Sequence, residues 1–227
     1  MLDDYDDPQF GAIEFAENPE QRCACVLLLD VSSSMQGEKI GQLNAGLKAF
    51  SASMADDAMA QKRVEIAVIT FGGQVQLVSE FCSPAAFQPP LLRASGGTPL
   101  GQGIRTAVKL VEDRKAQYRA NGVPYYRPWI FMLTDGEPTD EWDRAAKMVA
   151  EGEARKAFSF FAVGVDGADM DTLSKISVRE PLSLNGLNFT GLFKWLSSSL
   201  SAVSRSNPGM EIALANPAAP DGWATTN

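Results

Sequence analysis

The sequence contains no histidine among its 227 residues. Histidine is the commonest protein ligand of zinc and the base of Ser-His-Asp and Cys-His catalytic sites, so its absence excludes most of these sites. A metal ion bound to this chain would be held by oxygen ligands. Oxygen ligands favour hard cations such as Mg²⁺ or Mn²⁺.

Cysteine and long apolar segments are also scarce. The three cysteines, Cys23, Cys25 and Cys82, have no regular spacing and predict free thiols in a reducing compartment. Residues 1–20 lack the basic and apolar regions of a secretion signal, and no apolar run approaches the length of a membrane span. We therefore expect a cytoplasmic protein.

Positive charge is in the minority, with 20 Lys and Arg against 28 Asp and Glu and a net charge of −8. This balance disfavours nucleic acid and anionic membranes as partners. The length suits one α/β domain with modest extensions, and we expect a monomer. We predict an acidic N-terminal extension at 1–22, a single domain at 23–204 and a C-terminal tail at 205–227.

Apolar runs alternate with segments of helical periodicity. The runs are continuous, which is typical of strands that are covered on both faces. Gly72-Gly73 separates two of them and predicts a hairpin. We predict a doubly wound α/β fold, with a mostly parallel sheet of about six strands, one antiparallel edge strand, and helices on both faces. The predicted strands are 25–30, 64–71, 74–81, 128–134, 158–165 and 182–184.

Small oxygen-bearing side chains follow the predicted strands at three places. Asp30, Ser32 and Ser34 come directly after the first strand, and Asp135 directly follows a later buried strand. Thr98 stands at the junction between a Pro-rich loop and a helix. Ligands of open α/β sheets bind at the carboxyl ends of the strands. Hydroxyls and carboxylates delivered there could complete the octahedral oxygen shell of one magnesium ion.

The pattern D-x-S-x-S, followed by a distant Thr and a distant Asp-Gly, resembles the metal-ion-dependent adhesion site of von Willebrand factor A (VWA) domains, which have a Rossmann-like fold. The resemblance covers residues 23–204. It implies that Ser32 and Ser34 coordinate the metal directly, and Thr98 directly or through water. Asp30 and Asp135 would mostly hold coordinated waters, and one metal position would bind a partner's Asp or Glu carboxylate. The chain departs from many members in having Ser between the two ligand serines.

Shorter stretches, among them 67–71 and 133–140, resemble the tellurium-resistance (TerY) type of bacterial VWA protein. That resemblance implies a cytoplasmic adaptor or scaffold in stress response or defence, without catalytic turnover. Its partner would be a protein encoded nearby, such as a kinase or a phosphatase.

Simpler structural roles remain open for the same residues. Asp30 and Ser32 could cap a following helix, and Thr98 could be an N-cap in front of a first-turn proline. Glu137 and Asp140 belong to an acidic run that we attribute to favourable charge at a helix start.

Two other functions also remain open. One is a magnesium-dependent phosphohydrolase with Asp30 as the nucleophile, although that chemistry favours a second carboxylate where Ser32 stands. The other is a structural subunit whose metal site is vestigial.

Overall fold

The computed structural model describes Phe15 and residues 18–210, 212–220 and 222–225, so most of the predicted N-terminal extension lies outside the described residues. The strands are β1 Cys23–Asp30, β2 Val64–Gly72, β3 Gln74–Cys82, β4 Trp129–Thr134, β5 Ser159–Gly164, β6 Leu182–Leu184 and β7 Ala224–Thr225. The helices are α1 Glu38–Ala55, α2 Ala58–Arg63, α3 Leu100–Ala120, α4 Asp143–Ala154, α5 Met170–Ile176 and α6 Phe189–Ser204. None of the described helices is both long and apolar enough to cross a membrane.

The strands form one sheet in the order β3-β2-β1-β4-β5-β6-β7. Strands β2, β1, β4, β5 and β6 run parallel, and β3 pairs antiparallel with β2 through the predicted Gly-Gly hairpin. The predicted fold class is confirmed. A seventh strand, β7, pairs antiparallel with β6 and comes from the segment that was predicted to be a tail. The domain boundaries at residues 22 and 204 stay predictions.

Burial on both faces explains the continuous apolar sequence of β1, because all eight of its residues are buried. Leu27 and Leu29 belong to a core cluster that includes residues of α1 and α6. Val26 and Leu28 face the opposite cluster, which includes residues of α3 and α4. Residues of a strand alternate between the two faces of a sheet, so a doubly covered strand is apolar throughout.

Helix α2 was not predicted from the sequence. It is six residues long and begins after Asp57, whose side chain accepts hydrogen bonds from the N–H groups of Met59 and Ala60. Only Ala60 of the helix is buried, so the helix lacks the periodic apolar stripe on which prediction depends. Its cap is a stronger local signal than its periodicity.

The Pro-rich loop before α3 is fastened to the carboxyl ends of β1 and β2. The N–H of Ser95 donates to the carbonyl of Val31 at 2.7 Å, and the N–H of Gly73 donates to the carbonyl of Gly97 at 2.8 Å. Gly96 has a φ of 77°, and a Cβ there would lie 2.5 Å from the Cα of Gly73. A side chain at Gly96 would therefore push the loop, and Thr98 with it, away from the sheet.

The three cysteines form no disulfide bond. Cys23 and Cys25 are buried in β1, and burial raises the pKa of Cys23 to about 12. This thiol is therefore protonated at neutral pH and packs as a small apolar side chain.

Candidate metal centre

Asp30, the last residue of β1, is fully buried at the carboxyl edge of the sheet. One carboxylate oxygen accepts a hydrogen bond from the N–H of Ser32 at 2.7 Å, and the other accepts one from the hydroxyl of Thr134 at 2.5 Å. Burial raises the pKa of Asp30, against the hydrogen bonds from Ser32 and Thr134, and the nearby charge of Asp135 raises it further. Among the described residues Asp30 has no ion pair, so its carboxylate is stabilised by the hydrogen bonds from Ser32 and Thr134 and not by an opposite charge.

The hydroxyls of Ser32 and Ser34 join this carboxylate to Asp135. Their oxygens lie 2.9 Å apart, and the Ser34 hydroxyl donates to Oδ1 of Asp135 at 2.6 Å. A short 3₁₀ turn at Ser33–Met35 brings the two hydroxyls together, while Met35 anchors the turn in the core. Ser33 is exposed. Alternate residues of the turn thus supply oxygens to one cluster.

Thr98 reaches the same cluster from the other side of Gly136. A Cβ at Gly136 would lie 3.3 Å from the Thr98 hydroxyl oxygen and 3.5 Å from that of Ser34. The absence of a side chain at Gly136 therefore leaves the two hydroxyls open to a shared space. The structure thus brings together all five residues predicted from the sequence: Asp30, Ser32, Ser34, Thr98 and Asp135.

The helix-cap interpretation of these residues is not supported. Helix α1 starts at Glu38 after Gly37, far from Asp30, and has no side-chain cap. Helix α3 begins at Leu100 after Pro99, so Thr98 lies outside it and makes no side-chain cap there either. The hydroxyl of Thr98 is therefore free of that role.

Asp140 caps α3 instead, from the loop after β4. Its two carboxylate oxygens accept hydrogen bonds from the N–H groups of Gly101 at 2.8 Å and Gln102 at 2.7 Å. Asp140 therefore lies at a helix start, as predicted, but the helix is α3 and not the one that follows it in the sequence. The carboxylate reaches a different helix because the loop after β4 packs against the start of α3, with Thr139 donating its N–H to the carbonyl of Thr98 at 2.9 Å.

Two residues of the cluster were missed. The Lys39 ammonium contacts Asp135 Oδ2 at 2.6 Å, and the Thr134 hydroxyl binds Asp30. Thr134 was within reach of sequence reasoning, since β1 and β4 are parallel neighbours with Leu29 beside Leu133. Lys39 carried no such signal, because the direction of a long side chain in a first helical turn depends on the tertiary fold.

The donor set suits a hard divalent cation. All five predicted donors carry oxygen, three as hydroxyls and two as carboxylates, which matches the ligands that Mg²⁺ and Mn²⁺ prefer. No group of three or more Cys, Asp or Glu side chains that could hold a metal occurs among the described residues. The cluster differs from such sites because hydroxyls outnumber its carboxylates.

The mostly parallel sheet with helices on both faces defines a Rossmann-like α/β domain, with the oxygen-rich cluster at the carboxyl ends of its strands. The family model of the von Willebrand factor type A domain matches residues 25–190, and the chain belongs to this family. No curated protein matches the chain.

Several solved structures have a similar fold. The pilus adhesin SpaC of Lactobacillus rhamnosus GG has a TM-score of 0.67 at 14% identity, over 82% of this chain and 31% of SpaC. The vWF domain of the pilus tip protein Mfa5 of Porphyromonas gingivalis has a TM-score of 0.65 at 12% identity, over 84% of this chain and 99% of that one. Proximal thread matrix protein 1 of the mussel byssus, with a zinc-occupied metal-ion-dependent adhesion site (MIDAS) motif, has a TM-score of 0.54 at 18% identity. The match covers 81% of this chain and 49% of the mussel protein. This chain thus spans about a third of SpaC and half of the mussel protein.

Proposed function

We propose that the chain is a non-enzymatic protein-binding module that holds Mg²⁺ or Mn²⁺ in a metal-ion-dependent adhesion site. The metal-site residues are Asp30, Ser32, Ser34, Thr98 and Asp135. Ser32 and Ser34 coordinate the metal directly, Thr98 directly or through water, and the two carboxylates mostly hold coordinated waters. The bound metal takes an Asp or Glu carboxylate of a protein partner as a further ligand.

One observation carries this proposal. The chain of hydrogen bonds from Ser32 through Ser34 to Asp135, with Thr98 facing the same space across Gly136, gathers oxygens from three separate loops. Buried polar groups usually serve the fold, but here exposed Ser34 is held beside the buried carboxylate of Asp135 at the open edge of the sheet. A related fold with a zinc-occupied MIDAS motif, in the mussel byssus, is in line with a metal at this edge.

The biological setting we infer is a cytoplasmic adaptor or scaffold in a bacterial stress-response, tellurium-resistance or defence system. Support comes from the sequence resemblance and the unbonded cysteines. The partner is a protein encoded nearby, such as a kinase or a phosphatase, and the chain acts as a monomer. SpaC, whose fold is similar, is a pilus adhesin, and this supports a binding role over a catalytic one.

The surroundings of Asp30 argue against the phosphohydrolase alternative. A nucleophilic carboxylate needs an oxygen open to the substrate, yet Asp30 is fully buried and both of its oxygens accept hydrogen bonds. Ser32, two residues on, offers no general acid or base.

Calorimetric titration of the full chain with MgCl₂ or MnCl₂ tests the metal site, with Ser34→Ala and Ser33→Ala as a matched pair. The two serines are adjacent and exposed, but only Ser34 belongs to the cluster. We expect Ser34→Ala to weaken metal binding by more than about tenfold and Ser33→Ala to leave it unchanged. Equal losses in both variants, or no binding by the wild type, would refute the assignment.

Capture of partners from lysate of the source cell, with and without a chelator, tests the adhesion role. We expect specific partners to elute when the metal is removed, and to be absent with Ser34→Ala. Capture that a chelator does not affect would favour a structural subunit with a vestigial site. Phosphatase turnover that depends on Asp30 would favour the enzyme.

A further inference from the structure

Lys39 places a fixed positive charge on the candidate metal centre. Its ammonium nitrogen lies 2.6 Å from Oδ2 of Asp135 and donates to the carbonyl oxygen of Asp166 at 2.7 Å. The Lys39 side chain is 22% exposed and that of Asp135 is fully buried. The other oxygen of Asp135 accepts the Ser34 hydroxyl. Lys39 therefore contacts a metal-site carboxylate although, as a cation, it cannot be a metal ligand itself.

The charges of the cluster show what this ammonium changes. Asp30, Asp135 and Lys39 together carry one net negative charge. A divalent ion would convert that to one net positive charge, and a single bound carboxylate would then make the centre neutral. Without Lys39 the metal-loaded centre would already be neutral, and a carboxylate would bring it one uncompensated negative charge.

We propose that Lys39 is a specificity-determining residue: it makes the metal-loaded centre selective for an anionic partner group, and it lowers the affinity of the site for the metal itself. This inference rests on the proposed function. The ammonium acts on two binding steps with opposite sign, because it repels the cation and attracts the carboxylate that follows. It also holds Asp135 against the loop after β5 through Asp166.

The neighbouring carboxylates do not cancel this effect. Glu38 at the start of α1, Glu137 in the loop after β4 and Asp166 in the loop after β5 are all exposed and have no ion pair among the described residues. Water and salt screen exposed charges strongly, whereas the partly buried Lys39 directly contacts the buried Asp135. Lys39 is therefore the dominant local cation.

The test is Lys39→Gln, which removes the charge and keeps a hydrogen-bonding side chain. Lys48→Gln is its matched control, since Lys48 is an exposed lysine of the same helix. Titration of the full chain with MgCl₂ gives the metal affinity. Titration of the magnesium-saturated chain with sodium acetate, followed by the amide chemical shifts of Gly136 and Thr98, gives the carboxylate affinity.

We expect Lys39→Gln to bind magnesium about tenfold more tightly and acetate about tenfold more weakly. Lys39→Arg keeps the charge and should restore both affinities towards wild type, and Lys48→Gln should change neither. Should Lys39→Gln fail to fold, as judged by circular dichroism in chelator, Lys39→Met takes its place.

Two outcomes would overturn the inference in distinguishable ways. If the wild type binds magnesium but Lys39→Gln shifts both affinities in the same direction, or neither, Lys39 only positions Asp135 and the proposed metal site stands. If the wild type binds neither magnesium nor manganese, the proposed function fails and this inference fails with it.

Discussion

Buried carboxylates lie at both ends of the parallel strands, and their negative charge is compensated differently at the two ends. Near the start of β2, Glu65 accepts hydrogen bonds from Arg22 at 3.0 Å, from Arg114 at 2.8 Å, and from the hydroxyl of Tyr118. Glu65 and Arg22 are each 3% exposed. At the carboxyl ends of the strands, Asp135 contacts the Lys39 ammonium and the Ser34 hydroxyl, whereas Asp30 accepts a hydrogen bond from the Thr134 hydroxyl and has no ion pair among the described residues.

This difference separates a structural cluster from a candidate binding site. Glu65 is in direct contact with two guanidinium groups, which compensate its charge within the cluster. Asp30 is stabilised only by hydrogen bonds among the described residues, which do not cancel its charge, and Asp135 is paired with the single ammonium of Lys39. The net negative charge left on Asp30 and Asp135 is the charge that we propose a bound cation neutralises.

The largest loss of stability should come from removing Glu65 from its cluster with Arg22 and Arg114. Glu65→Ala removes the buried carboxylate that contacts both Arg22 and Arg114, and we expect a loss of about 3–5 kcal/mol in the free energy of unfolding. Urea unfolding measures this loss, with Glu80→Ala, an exposed residue of β3, as the control. A loss as small as that of Glu80→Ala would mean that the two arginines find water or other acceptors.

Removing a carboxylate from the cluster of Asp30 and Asp135 should affect stability only when magnesium is present. Asp30→Asn keeps an acceptor for the Ser32 N–H and removes a charge that has no ion pair among the described residues. In chelator we expect little change in unfolding free energy. At a hundredfold excess of magnesium over the dissociation constant, the wild type should gain about 2.7 kcal/mol and the variant nothing. Melting curves with and without magnesium measure both; an equal gain in Asp30→Asn contradicts the site.

A smaller effect should follow from removing Asp140, which joins the loop after β4 to the start of α3. Asp140→Ala leaves the N–H groups of Gly101 and Gln102 without their carboxylate and should cost about 1 kcal/mol of unfolding free energy. Because Asp140 is not a ligand, the stabilisation by magnesium should persist. Thermal unfolding of this variant beside Glu137→Ala, an exposed neighbour, measures both; loss of the magnesium effect would place Asp140 in the metal site.

The smallest effect belongs to an exposed ion pair outside both clusters. Lys109 and Asp113 pair along α3, with side chains 76% and 55% exposed. Water screens such pairs, so Lys109→Ala should cost only about 0.3 kcal/mol. Urea unfolding at low and high salt checks this. A loss comparable to that of Glu65→Ala would show that burial is not what separates the clusters.

The fold could be predicted where burial leaves a periodic mark. Continuous apolar runs predicted β1, β2, β4 and β5, and two glycines predicted the β2–β3 hairpin. Helix α2 and strand β7 were missed because they are short and present little apolar surface. Trp223 and Ala224 are buried at the far edge of the sheet, although the surrounding composition is that of a tail.

Four residues of the metal-site prediction follow strands directly, and Thr98 precedes a helix; the structure gathers all five at one end of the sheet. The four meet because the carboxyl ends of parallel strands lie together. Thr98 joins them because its loop is hydrogen-bonded to Val31 and Gly73. Their role as metal ligands stays a prediction. Asp140 lies at a helix start, as predicted, but sequence order does not show which helix, because a carboxylate can accept hydrogen bonds at the start of any helix that lies near it.

The sequence by itself determined the chemistry available: without histidine the donors are oxygens, and apolar runs ending in Asp, Ser and Thr put those oxygens at strand ends. Only the tertiary structure decided how their charge is balanced. Lys39 and Asp135 are 96 residues apart, and Asp140 lies 38 residues from the Gln102 N–H that it caps. Such pairings follow from which loops pack together, and neither local propensity nor periodicity encodes the reach of one side chain across that distance.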